Sequence, residues 1–94
     1  MKLYLIHTGF YDKNVADGFY EQHTNILIVA SSVYDAREKV KGTLEYKSKK
    51  MHIDGIKEIV HVDGYNIGLE KTDDGEKNNT FNHYQVRFLK SESQ

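Results

Sequence analysis

The chain contains no cysteine and no proline. The first absence excludes disulfides, thiolate catalysis and any zinc or iron–sulfur site built on cysteine. The second removes slow cis-proline isomerisation and proline-rich recognition segments. No apolar run approaches the roughly 20 residues that a membrane helix needs. The opening MKLYLIHTGF lacks the apolar core and cleavage site of a signal peptide. A cytoplasmic protein with no membrane partner is therefore expected. Charge of one sign is lacking too: 13 basic residues against 14 acidic ones leave a net charge of -1. Nucleic-acid binding through bulk charge gains no support from that balance. There is no Gly-x-Ser-x-Gly elbow, no phosphate-binding loop and no dinucleotide fingerprint, so no cofactor is expected.

What remains is a chain of 94 residues, 38% hydrophobic and 29% charged, with a mean hydropathy of -0.68. That length supports one modest core, expected over residues 1–90, with a disordered tail at 91–94. Seven tyrosines supply large rings with wet hydroxyls, which suit half-exposed sheet faces and interfaces. A homodimer is the expected partner arrangement.

The clearest local signal is HIDGIKEIVHVDGYNIGL, residues 52–69. Asp63 and Gly64 are the residues that a type I′ turn needs at its two positive-φ positions. Counting outward pairs Val62 with Tyr65, Val60 with Ile67 and Glu58 with Leu69, predicting a hairpin over 53–62 and 65–71. Lys2 to Thr8 reads as a central strand, with Leu3, Leu5 and His7 on one face and Tyr4 and Ile6 on the other. Gly9 to Asp17 reads as a polar loop. Asn25 to Ala30 reads as a buried strand, extended or preceded by 19–24. Ser32 followed by Asp35 resembles a capping box, and Val33, Ala36, Val40 and Leu44 recur at helical spacing. Gly42 predicts fraying over 42–46, and 47–52 is expected to be a basic loop. Residues 72–82 read as a loop, and Tyr84, Val86 and Phe88 alternate as in a last strand over 83–89. The order is β-β-α-β-β-β, an α+β fold: a mostly antiparallel sheet with one helix packed on one face. The helix stripe is expected against Val60, Val62, Tyr65, Ile67 and the inward face of 25–30.

Three segments, KLYLIHTG at the start, EQHTNILIV at 21–29 and residues 52–69, together resemble a small bacterial family known only as a domain of unknown function. Its members share an opening strand ending in glycine, a Glu-x-His stretch, and a His-Ile-Asp followed by Val-Asp-Gly-Tyr; some carry the domain twice. The resemblance covers roughly residues 2–70. It departs at Thr24, where an acidic residue often follows the histidine, at Gly55, where a larger residue is usual, and beyond residue 71. It implies one compact α+β domain and no particular substrate.

Glu21 and His23 are two apart, as are His52 and Asp54, and in extended backbone such pairs share a face. If the two segments lie side by side, the four residues suit a divalent metal or an acid–base pair. In the structural alternative, Asp54 and His52 brace the approach to the hairpin. A contact to a polar ligand is a third possibility. His7 is expected as a satisfied histidine of the core or rim, with a place in the cluster as the alternative, and His61 and His83 are expected in solvent. The basic run from Arg37 to Lys50 reads first as a solvated helix face and its exit loop; the sharper alternative makes Arg37, Lys41, Lys49 and Lys50 an anion-binding surface. Ser31 and Ser32 are explained by helix capping. The function expected is that of a small, non-catalytic binding or interaction domain. The alternative is a metal-dependent or acid–base enzyme using Glu21, His23, His52 and Asp54. Whether the protein is an enzyme stays open at this point.

Overall fold

The computed structural model describes residues 1–91. In chain order the elements are β1 (Lys2–Tyr11), β2 (Glu21–Ala30), α1 (Val33–Lys41), α2 (Leu44–Ser48), β3 (His52–Ile59), β4 (His61–Val62), β5 (Tyr65–Asn66) and α3 (His83–Arg87). The architecture is α+β. A three-stranded sheet of order β2-β1-β3 is antiparallel throughout, and β4 and β5 form a separate hairpin.

Strict alternation in β1 sets the two faces of the sheet. Tyr4, Ile6 and Thr8 are buried on one side, while Leu3, Leu5 and His7 alternate with them. Apolar side chains on both faces suit a strand with neighbours on both edges. β1 is that central strand. It runs on to Tyr11, three residues past the expected end at Thr8, because β2 pairs with it as far as Tyr11–Glu21. The one buried polar side chain of this face, Thr8, donates its hydroxyl to the Thr24 carbonyl at 3.1 Å, so it carries no unsatisfied donor.

α1 lies over the buried face. The Ser32 hydroxyl caps it by accepting from the Asp35 amide at 3.1 Å. Asp35 reaches back to the amide and hydroxyl of Ser31, at 3.0 and 3.2 Å. These two Ser31 contacts, the amide first, hold the Asp35 carboxyl below its usual range. Ala36 and Val40 then seat against Tyr4, Ile6, Ile28 and Ala30, with Ile26, Tyr46, Ile53 and Ile56 at the margin. The helix ends at Lys41. Where fraying was expected, Thr43 caps a second short helix, α2, by accepting from the Tyr46 amide at 3.3 Å. Full burial of an aliphatic side chain such as Ile6 contributes about 1.5–3 kcal/mol, so these few side chains supply most of the core's stabilisation.

The turn at Asp63-Gly64 forms as expected, with φ of 51° and 82°. Val62 pairs with Tyr65, and the Ile67 amide donates to the Val60 carbonyl at 3.0 Å. The hairpin is shorter than its sequence suggests. Residues 52–59 hydrogen-bond to β1, so Glu58 pairs with Tyr4 and not with Leu69. With β3 in the main sheet, the helix finds its apolar partners there. Val60, Val62 and Tyr65 stay 56%, 53% and 72% exposed, which corrects the expectation that α1 packs on the hairpin. The expected last strand is also corrected: 83–87 is helical. Asn82 and Gln85 form a reciprocal capping box there, and no strand lies alongside to complete an alternating segment. The expected tail lies outside the described residues from position 92 onward. Among the described residues no helix is long and apolar enough to cross a membrane.

Candidate functional site

The sheet face opposite α1 carries the odd-numbered residues of β1 and β2. Its two ends differ in chemistry. At one end lie Leu3, Leu5, Leu27, Val29 and Ile59; at the other lie His7, Asn25, His23, Glu21, His52 and Asp54.

The polar end depends on a β-bulge. Thr8 pairs with Ile53 and His7 with Gly55, which leaves Asp54 as the extra residue of β3. A bulge of this kind changes the parity of a strand. Ile56 and Ile53, three apart, therefore both face α1, while His52 and Asp54 both reach the opposite face. An unbroken strand would turn His52 and Asp54 toward the core with Ile56.

The segments bearing Glu21-x-His23 and His52-x-Asp54 are not side by side. β1 lies between them, and Gly9 pairs with His23 on one edge and His52 on the other. The side chains meet above Gly9. His52 Nε2 stands 3.1 Å from Glu21 Oε1 and 3.2 Å from Asp54 Oδ1. His23 Nε2 stands 3.2 Å from Glu21 Oε1, and its Nδ1 stands 3.1 Å from Asp54 Oδ2. Each imidazole thus touches both carboxylates. A β-carbon on Gly9 would collide with Glu21 Oε1 and would come within 2.6 Å of His52 Nε2 and 2.8 Å of Asp54 Oδ2. The convergence requires glycine at this position for lack of a side chain, not for its backbone freedom. A glycine inside an alternating strand is a mark of close approach, whereas the local sequence pattern ends the strand at Thr8 and puts Gly9 at the start of a loop.

Three neighbours complete the site. The His7 ring stacks on His23 with centroids 5.0 Å apart and planes 6° apart. Its Nδ1 meets Asn25 Oδ1 at 2.9 Å. The Tyr11 hydroxyl donates to Glu21 Oε2 at 3.4 Å. The four central side chains remain 31–49% exposed. A hollow of about 340 Å³ lined by Leu5, His7, Asn25, Gly55 and Lys57 adjoins them.

The other histidines lie elsewhere. His61 pairs with Asn66 on the hairpin, and His83 opens α3; both are exposed. The basic candidates are largely engaged. Arg37 and Lys41 meet Glu38 at 3.1 and 3.5 Å, and the Arg37 hydrogen bond, more than Lys41, holds the Glu38 carboxyl below its usual range. Lys49 meets Glu45 at 3.6 Å and sits over the Phe10 ring. Lys49 and Lys50, with Lys13, line a groove of about 490 Å³ beside Phe10 and Tyr11.

The fold and site define a small α+β domain with one covered sheet face and one open face bearing a His/carboxylate cluster. The chain belongs to the family described as Domain of Unknown Function (DUF1543), which matches residues 18–69. Glu21, His23, His52 and Asp54 fall within the matched span, whereas His7 and Gly9 precede it. Searches of curated proteins and of solved structures returned no match.

Proposed function

We propose that this chain is a small, cytoplasmic, non-catalytic binding domain that works through its open sheet face, pairing with a second copy at the apolar end and taking its ligand at the polar end. The observation that carries the reading is the apolar end itself. Leu27 is 62% exposed and Val29 37% exposed, with Leu3, Leu5 and Ile59 half-buried beside them. α1 lies on the other side of the sheet. A contiguous aliphatic patch on a twisted sheet is the kind of surface that a partner covers, and a second copy presents the same patch in a two-fold arrangement. The non-catalytic part rests on access to water. The Glu21, His23, His52 and Asp54 side chains stand on an open face, and grooves of about 490 and 650 Å³ are lined by other residues. Acid–base catalysis gains most from a walled site that excludes water.

Light scattering on the full chain tests the pairing. A mass of twice 10.9 kDa is expected, and Leu27→Asp is expected to give a folded monomer. A wild-type chain that stays monomeric at high concentration overturns the dimer.

A further inference from the structure

We infer that the cluster above Gly9 is a divalent metal site in which Glu21 Oε1, His52 Nε2 and Asp54 Oδ1 bind the ion and His23 positions the two carboxylates. The inference rests on the reading of the polar end as a ligand surface and gives that ligand a chemical class.

Charge is the first argument. Glu21 and Asp54 project two carboxylates onto one spot, and their ion-pair partners among the described residues are imidazoles, with no lysine or arginine. Two carboxylates directed at one spot supply the negative charge that a divalent cation binds. Geometry is the second. The donor atoms of Glu21, His52 and Asp54 all lie within 4.8 Å of one another, and the contacts through His52 Nε2 are 3.1 and 3.2 Å. Ligands bound at about 2.0–2.2 Å sit about 3.0–3.5 Å from their neighbours around a metal. The two edges that meet at His52 Nε2 thus already have coordination spacing. Gly9 points the same way. The place where its β-carbon would stand is bordered by Glu21 Oε1, His52 Nε2 and the Asp54 carboxylate, so the backbone keeps clear the space on which these three side chains converge.

His23 fits an orienting role. Its two nitrogens contact Glu21 Oε1 and Asp54 Oδ2, which leaves Asp54 Oδ1 to face His52. Stacking on His7 fixes its plane. Outer groups that hold ligating carboxylates and imidazoles in place are a regular part of metal sites. One nitrogen and two oxygens form a donor set of intermediate softness, suited to zinc, manganese or ferrous iron. Three protein ligands leave coordination positions for water on the open side.

The test is a titration of the full chain with Zn²⁺ alone and with Mn²⁺ alone, read by calorimetry and by imidazole ¹⁵N resonances. One equivalent of Zn²⁺ is expected to saturate the site and shift His52 and His23. Substoichiometric Mn²⁺ is expected to broaden them before His61 and His83. Glu21→Gln keeps the size of the side chain and is expected to weaken Zn²⁺ binding while circular dichroism stays unchanged; His61→Ala is expected to change nothing. His23→Gln is expected to weaken binding about 10–100-fold, the range for loss of an outer-shell partner. Equal response of all five histidines, or undiminished binding by folded Glu21→Gln, overturns the site. The dimer is read separately by light scattering. A chain that pairs through Leu27 but ignores metal refutes this inference alone, and a monomer that binds metal refutes the pairing alone.

Discussion

Replacing Gly9 by alanine separates the cluster from the fold. The new methyl group would stand within 2.6 Å of His52 Nε2 and 2.8 Å of Asp54 Oδ2 and would overlap Glu21 Oε1. All three are side-chain ends on an open face, so they can rotate into solvent while the β1 backbone stays in place. The loss is then the four imidazole–carboxylate contacts. Exposed pairs contribute about 0.2–1 kcal/mol each, so their loss costs about 2 kcal/mol. Alanine in place of glycine in extended backbone returns about 0.5–1 kcal/mol by restricting the unfolded chain. The net expectation is a destabilisation of about 1–1.5 kcal/mol, or a melting temperature lower by about 4–12 °C for a domain of this size. Urea denaturation with an unchanged m-value measures the first number. Histidine NMR reads the second effect, the separation of His23 and His52 from their carboxylates, and with it the loss of selective Zn²⁺ response. A destabilisation beyond about 4 kcal/mol would refute the reasoning, because it would make the cluster a rigid part of the core. Unchanged His23 and His52 resonances in Gly9→Ala would refute it from the other side.

Two further outcomes follow from the core and the cap. Ile6 is fully buried on the central strand beneath α1, so Ile6→Ala is expected to cost about 2–5 kcal/mol, read by chemical denaturation; a cost below about 1 kcal/mol would mean that the α1 interface contributes little. The Ser31 contacts hold the Asp35 carboxyl below its usual range, so its stabilising contribution is full above the unfolded value, about pH 4, and is lost as pH falls through the lower folded value. Chemical denaturation at stepped pH should show a loss below about pH 4 that is smaller in Asp35→Asn; an identical loss in the two chains would remove Asp35 as its cause.

Local signals in this sequence were reliable where the physics is local. Asp63-Gly64 fixes the turn because few residues accept positive φ at both positions, and Ser32 with Asp35 fixes the start of α1 because its hydroxyl and carboxylate satisfy backbone amides nearby. The alternation of β1 put Tyr4 and Ile6 on one face and Leu3, Leu5 and His7 on the other, but left open which of the two a helix covers. The same reasoning failed at Tyr84, Val86 and Phe88, where alternation lost to the Asn82–Gln85 capping box. It also failed at residues 53–59, whose pairing partner lies some 50 positions earlier, as Glu58–Tyr4 shows; nothing in a strand's own sequence says which strand it will meet.

The candidate site divides in the same way. The two His/carboxylate pairs were readable from spacing alone, because side chains two apart in extended backbone share a face. Their meeting was not readable. It depends on β1 lying between β2 and β3, on Gly9 having no side chain at the crossing point, and on the bulge that turns His52 and Asp54 outward while Ile53 and Ile56 stay inward. By itself the sequence determined the elements with strong local chemistry, the faces of β1 and the residue types available for a site. The tertiary structure decided which strands are neighbours, which sheet face stays open and that four side chains from two separate strands converge. Those outcomes depend on long-range hydrogen-bond pairing and packing, which no short window of sequence encodes.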